Sequence, residues 1–502
     1  MVQNVLDWLD DTARRSPDKT AFEDTQRALT FAEVRARSRA MASALAKSVG
    51  SRAVVAVLAG RSALTPAIYL SAVYAGCCYA PLDAEAPADR LRKILAHVSP
   101  AALIADESTA ELARSLDFPG ETLLAEELAD TGADEAALAA RRAAATIFDP
   151  LYIIFTSGSS GTPKGVITSQ LSLINYIDAY AGVVGVDETD ILGCQSPLSY
   201  IAAIRDIYLP LKLGASTLII PKQLFSQPVK LFELLNEKRV TAIGWSVSAF
   251  TICAGTGVFK HLRPEHLKKI SFSGSVMPCR CLRLWQEQLP GARFVHQYGP
   301  TEATASCSWY AVEDVVGEDE VLPIGRPYQN YTMFLLDEND RPVPAGELGE
   351  ICVGGPGVTL GYYNDPERTA AAFVQNPLNT AYREIIYKTG DVGRVRPDGL
   401  FEFHGRRDRQ IKHLGHRVEL DEIEEAAGAI PGVEECACLY HADRELIYLF
   451  YTGPATDRDL ATALRAALPG YMVPRRFVPL GALPRLSNGK TDLQTLKESY
   501  FK

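Results

Sequence analysis

The chain has 502 residues, 47% of them apolar and 22% charged, and carries a formal net charge of −10 at pH 7. That length accommodates two or three domains around a large core, and the balance is that of an ordinary globular protein. With an acidic balance and no long basic run, nucleic acid is disfavoured as a principal partner.

The N-terminus, M-V-Q-N-V-L-D-W-L-D-D, has neither a basic n-region nor an apolar h-region, so no signal peptide is expected. No apolar run reaches bilayer length, and a cytoplasmic protein with no membrane partner is expected. Residues 6–16 have the spacing of an amphipathic helix, 53–58 of a strand, and 62–75 of a helix with one apolar face. Residues 102–105 and 152–155 read as buried strands. Residues 133–146, rich in alanine and charge, read as a surface helix or connector. Alternation continues through 216–220, 231–237, 242–245, 282–288 and 293–296, which argues for α/β layers with largely parallel sheets.

After about residue 347 the texture changes to short strands, 350–353, 388–395 and 399–404, separated by Gly, Pro and Asp turns. This predicts a small β-rich unit closing the large part. Gly405-Arg406-Arg407-Asp408-Arg409 is a short polar junction. Beyond it come a helix at 421–429, strands at 434–439 and 446–451, and a helix at 457–468. Residues 483–492 are too polar for a core and too glycine-marked for a helix. The expected fold is α/β: a large N-terminal domain, 1–407, of layered sheets and helices with a small β-subdomain, and a small mobile α+β domain, 408–502. No internal repeat or low-complexity tract is present. The ten cysteines include no C-x-x-C pair and several lie in apolar surroundings, so they read as reduced thiols packed as small hydrophobes.

Residues 156–165, T-S-G-S-S-G-T-P-K-G, follow the apolar run 151–155 and read as strand followed by flexible loop. Three glycines and five hydroxyls can present N–H and O–H donors to phosphate oxygens, and Lys164 adds a mobile positive charge. Such a loop suits a nucleoside triphosphate, although alone it also reads as a polar surface loop. It is not a Walker loop, because Lys164 follows Pro163 and precedes Gly165. Gly355-Pro356-Gly357 does not complete a dinucleotide fingerprint, since Leu360 stands where the third glycine is needed.

Five further segments fit the first. Tyr298-Gly299-Pro300-Thr301-Glu302 offers an aromatic face, a hydroxyl and a carboxylate, which suit a purine, a phosphate and Mg²⁺. Tyr387-Lys388-Thr389-Gly390-Asp391 presents a carboxylate after a glycine turn, suited to a ribose diol. The others are 405–412, then Gly415-His416-Arg417-Val418-Glu419-Leu420-Asp421-Glu422-Ile423-Glu424, and 484–490, ending in Lys490.

In order and spacing these segments, with Pro81-Leu82-Asp83, resemble the core motifs of adenylate-forming enzymes: acyl-CoA synthetases, peptide-synthetase adenylation domains and luciferases. The likeness covers essentially the whole chain. Arg417-Val418-Glu419-Leu420, Tyr471-Met472-Val473-Pro474 and Asn488-Gly489-Lys490 are more similar to the peptide-synthetase branch than to the CoA-ligase branch. The D-alanine–carrier-protein ligases are similar in length and layout. The resemblance implies that a carboxylate attacks the α-phosphate of ATP, giving an acyl-adenylate and pyrophosphate, and that a thiol then displaces AMP. By the same resemblance, the loop from Thr156 through Ser157, Gly158, Ser159, Ser160, Gly161 and Thr162 to Lys164 would hold the β- and γ-phosphates. Tyr298, followed by Gly299, would stack on adenine opposite Gly274 and Ser275. Thr301 would touch the α-phosphate, Glu302 would ligate Mg²⁺, and Asp391 with Arg406 would hold the ribose. Lys490 would bridge the substrate carboxylate and the α-phosphate. Asp408 would be the hinge about which the small domain rotates, the loop 413–416 then replacing Lys490 and lining a thiol tunnel.

The substrate pocket departs from the family pattern. The Asp that binds an α-ammonium in many relatives is replaced by Ile201, after Tyr200 and before Ala202. An unpaired buried cation is costly, so recognition of a free α-amine is not expected. By alignment the pocket also contains Arg205, Gly244, Ser271, Ser273, Gln297, Ala305 and Ser306. Arg205 would either clamp a second carboxylate or other acceptor, or turn outward into an ion pair. Because the chain stops twelve residues after Lys490, the thiol is expected on a separate carrier protein bearing phosphopantetheine. The alternatives are an acyl-CoA ligase and, more remotely, a non-catalytic nucleotide-binding regulator, which would be expected to have lost Lys490, Glu302 or Asp391.

Overall fold

The computed structural model describes residues 4–129, 131–158, 163–317, 320–486 and 490–501. The chain folds as a large N-terminal α/β domain and a small C-terminal one. Among the described residues, the largest sheet has nine strands. Its centre is parallel: Arg293–Tyr298, Lys269–Ser273, Ala242–Ser246, Ile191–Cys194, Ser216–Ile219 and Thr20–Glu23 lie side by side in that order. Antiparallel strands close both edges. A second sheet of six strands runs Glu121–Leu124, Ala102–Ala105, Val54–Leu58, Cys78–Leu82, Pro150–Thr156 and Lys164–Ser169, with only the last pair antiparallel. The parallel strands are apolar on both faces because helices cover both. Ala102–Ala105 and Cys78–Leu82 are buried at every residue.

Helix Leu6–Arg15 buries one stripe, Leu6, Trp8, Leu9, Thr12 and Ala13. Gln170 anchors its start by accepting a hydrogen bond from the Val5 backbone at 3.1 Å. Helix Phe31–Ser48 begins at a capping box between Thr30 and Glu33. Helix Thr65–Tyr74 differs from the expectation of one apolar face, for all its residues are buried. Its few polar groups satisfy themselves locally, as when the Ser71 hydroxyl donates to the Ile68 carbonyl at 2.7 Å, so the helix can sit inside the core. A second cluster centres on Trp245, Phe250 and Trp285, packed tilted or edge to face with centroids 4.9–6.5 Å apart.

The β-rich unit is an antiparallel five-stranded sheet containing Leu348–Gly354, Ile385–Val395 and Phe401–Arg406. The C-terminal part contains the hairpin Gln410–His413/His416–Glu419 and the sheet Glu435–His441, Leu446–Thr452 and Arg476–Pro479. Helices Leu420–Gly428 and Asp457–Ala467 pack against each other there. All ten cysteines are free; nine are buried and Cys436 is half-buried, as expected of small apolar side chains. No helix among the described residues is long and apolar enough to cross a membrane.

Candidate active site

A cleft of about 220 Å³ lies where the two large sheets, the β-rich unit and the C-terminal hairpin meet. Segments from four places in the chain build one half of it. Strand Pro150–Thr156 delivers Thr156 and Ser157 to the wall. Strand Arg293–Tyr298 runs into Gly299, Pro300 and Thr301, which also line it. Gly299 is required there: a Cβ would collide with the Ser306 backbone, because the chain doubles back through Thr304 and Ala305 in left-handed conformations (φ 53° and 70°). Gly274, at φ 96°, lines the opposite side. Asp391 and Arg406 are cross-strand partners, so sheet register alone brings them together as an ion pair at the cleft.

Tyr298, 5% exposed, is set behind the wall rather than in it; its hydroxyl donates to Asp391 at 2.5 Å, and the Lys412 ammonium stands 5.9 Å from its ring centroid. Ser275 and Gly158 likewise do not line the cleft, and Ser159, Ser160, Gly161 and Thr162 lie outside the described residues. Lys164 pairs across the strands with Thr156 and is buried 3.9 Å from Glu302 and 3.7 Å from Glu419. Burial, reinforced by the Arg417 charge, pushes its ammonium down to about 8.

The other half is the pocket. Tyr200, Ile201 and Ala202 enter it from a 3₁₀ turn, Arg205 from the first turn of helix Ile204–Leu213, Ser273 from a strand end, and Ala305 and Ser306 from the return loop. Gly244, Ser271 and Gln297 form the layer behind. Ser271 shares a hydrogen bond with Tyr180 at 2.8 Å, and Gln297 donates to Tyr328 at 2.9 Å. Arg205 does not turn outward. It is 2% exposed, lines the cleft and sits 5.9 Å from the Tyr180 ring centroid.

The C-terminal hairpin closes the cleft. Its turn, Leu414-Gly415, has φ of 52° and 81°, both positive as a two-residue hairpin turn demands. His416 stacks on Tyr471 with centroids 3.8 Å apart and meets Tyr200 edge-on at 5.1 Å. Burial holds His416 down at about 4, so the ring is neutral at pH 7. Arg417 donates to both oxygens of Glu302 at 3.0 and 2.8 Å, its carbonyl accepts the Ser157 hydroxyl at 2.9 Å, and Arg90 pairs with Glu422. Burial alone would raise Glu302, but Arg417 and Lys164 pull it down to about 2. Lys490, by contrast, is exposed and does not line the cleft. Asp408 lies outside the cleft as well, held by a two-point contact from Arg406 at 2.6 Å.

Sequence reasoning assigned no contact to Arg417, although it quoted the residue within a motif. Nor did it foresee Asp83 receiving the Tyr200 hydroxyl at 3.0 Å, or the Arg90–Glu422 pair. Glu302 and Arg417 are 115 residues apart, and no local pattern announces such a pair.

The chain matches the family of AMP-binding enzymes over residues 9–363 and the AMP-binding enzyme C-terminal domain over 422–490. It is 31% identical to tyrocidine synthase 1 of Brevibacillus parabrevis over 99% of its own length and 45% of that protein's. To phosphinothricin tripeptide synthetase PhsC of Streptomyces viridochromogenes it is 35% identical, over 98% of its own length and 44% of that protein's. It therefore spans less than half of either relative. Its fold is that of NpsA-ThdA, an artificially fused adenylation–PCP di-domain NRPS from Klebsiella oxytoca, with TM-score 0.82, 23% identity and 95% and 94% of the two chains covered. The chain belongs to the AMP-binding enzyme family, within the adenylate-forming superfamily.

Proposed function

We propose that this chain activates a small carboxylic acid lacking a recognised free α-amine as an acyl-adenylate and passes the acyl group to the phosphopantetheine thiol of a separate carrier protein. The observation that carries the reading is one cleft walled by Thr156, Ser157, Thr301, Asp391 and Arg406 on one side and by an acid-sized pocket ending in Arg205 on the other. In the first step a carboxylate oxygen bonds to the α-phosphorus of ATP and the bond to the β-phosphate breaks, releasing pyrophosphate. In the second a thiol sulfur bonds to the acyl carbon, its proton leaves to solvent, and AMP departs.

Thr156, Ser157 and the loop beyond them hold the β- and γ-phosphates, with Lys164 as a point charge. Thr301 meets the α-phosphate, Asp391 and Arg406 take the ribose, and Gly274 borders the base, while Tyr298 backs Asp391 from behind the wall. Glu302 is buried and ionised, the hard oxygen donor that Mg²⁺ prefers. No cluster of three or more metal-ligating side chains exists among the described residues, so phosphate oxygens would complete the coordination. That fit requires Arg417 to withdraw first. When bound, Mg²⁺ supplies neutralisation of phosphate charge. Lys490 reaches the reacting atoms only if the small domain, hinged at Asp408, turns it inward. The arrangement described here, with the hairpin in the cleft, is then the one suited to thiol transfer.

ATP–pyrophosphate exchange across a panel of amino, hydroxy, aryl and dicarboxylic acids tests the first step, and thioester formation with holo-carrier against CoA tests the second. Exchange with no acid would end the proposal. Thioester on CoA but on no carrier would turn it into the acyl-CoA ligase reading.

A further inference from the structure

We infer that the acid activated by this chain is a dicarboxylic acid whose second carboxylate is bound by Arg205. The inference rests on the acid-activation reading above and specifies its substrate.

Arg205 is 2% exposed, yet it lines the cleft, and its Nε has no hydrogen-bond partner among the described residues. A buried guanidinium with an unused donor is costly unless an acceptor arrives. Asp206 does not fill that role. Its nearest oxygen faces Nε as an ion pair at 3.8 Å, beyond hydrogen-bond reach, so it offsets charge without satisfying the donor, and it does not line the cleft. The layer behind the pocket makes room for the guanidinium, because a Cβ on Gly244 would collide with it. Gly244 thus works as the seat of Arg205, and the pocket is built around a cation.

The rest of the pocket disfavours an α-amino acid. Asp83 and Asp391 are the carboxylates lining the cleft among the described residues. Asp83 accepts the Tyr200 hydroxyl at 3.0 Å, and Asp391 is engaged by Tyr298 and Arg406. Among the described residues lining the cleft no other carboxylate is left to receive an ammonium, and Arg205 would repel one. Ile201, Ala202 and Ala305 instead offer apolar walls to a carbon spacer between two carboxylates.

The test is ATP–pyrophosphate exchange with succinic, glutaric and adipic acids and an aromatic dicarboxylic acid, each beside its monomethyl ester, with α-amino acids included. A charge-assisted pair to a buried guanidinium predicts a diacid preferred over its monoester by about 100-fold in kcat/KM. In Arg205→Met that ratio should collapse towards one, in Arg205→Lys it should fall partway, and in Gly244→Ala it should fall because the guanidinium is displaced. Circular dichroism confirms that each variant is folded, and the wild-type ratio decides the matter even if a variant is not. Equal use of diacid and monoester, exclusive use of an α-amino acid, or a ratio that survives Arg205→Met overturns the inference while leaving acid activation standing. Exchange with no acid overturns the activation reading itself and this inference with it.

Discussion

The contact between Arg417 and Glu302 makes the most demanding prediction. Arg417→Met keeps the length of the side chain and removes its charge. Glu302 is fully buried and would keep only the Tyr362 hydroxyl, at 2.8 Å, and Lys164, at 3.9 Å. Removing one partner of a buried pair costs about 3–5 kcal/mol. The two remaining partners keep part of that, leaving about 2–3 kcal/mol, or a roughly 30- to 150-fold shift in the equilibrium away from the seated hairpin and at most that loss in its population. Because the hairpin lines the cleft only when seated, the loss should fall on thiol transfer. With an acid identified by exchange, single-turnover thioester formation from preformed acyl-adenylate should drop by up to that factor. ATP–pyrophosphate exchange should be spared or raised, since Glu302 is released from its competitor. Equal losses in both half-reactions, or unimpaired thioester formation, would refute the reasoning that Arg417 seats the hairpin at the expense of the other state.

Two further outcomes follow from the same geometry. Lys490→Ala should lower adenylate formation by about 10²–10³-fold, the usual cost of one transition-state charge contact, while largely sparing thiolation of preformed adenylate; equal loss of both would remove Lys490 from its proposed role. Glu302, held at about 2 against an ordinary 4.5, contributes stability that is fully present above pH 4.5 and lost as the pH falls through about 2. That contribution is about 3 kcal/mol, so urea unfolding of wild type and Glu302→Gln between pH 7 and pH 2 should show a gap that closes in acid, and a gap that does not depend on pH would contradict the assignment.

Much of the chain was legible from local pattern. The apolar run before residues 156–165 became strand Pro150–Thr156, and residues 102–105 became a strand with those bounds. The helix expected at 457–468 appears as Asp457–Ala467, started by a capping box at Thr456. Such elements are set by spacings of two to four residues, and the sequence carries those directly. The spacing over residues 62–75 predicts a helix with one apolar face, whereas helix Thr65–Tyr74 is buried all round. Only the fold shows that a hydroxyl bonded to its own backbone can be buried.

The residue types that a nucleotide and an acid require, and their order along the chain, were determined by the sequence alone. The tertiary structure decided which of them meet. It placed the hairpin rather than Lys490 in the cleft, gave Glu302 to Arg417, and turned Arg205 inward against Gly244. Each of these depends on rigid elements being brought together across the chain, by sheet register or by lobe docking. A contact of that kind is fixed by packing between distant segments, and it leaves no periodic trace in either of them.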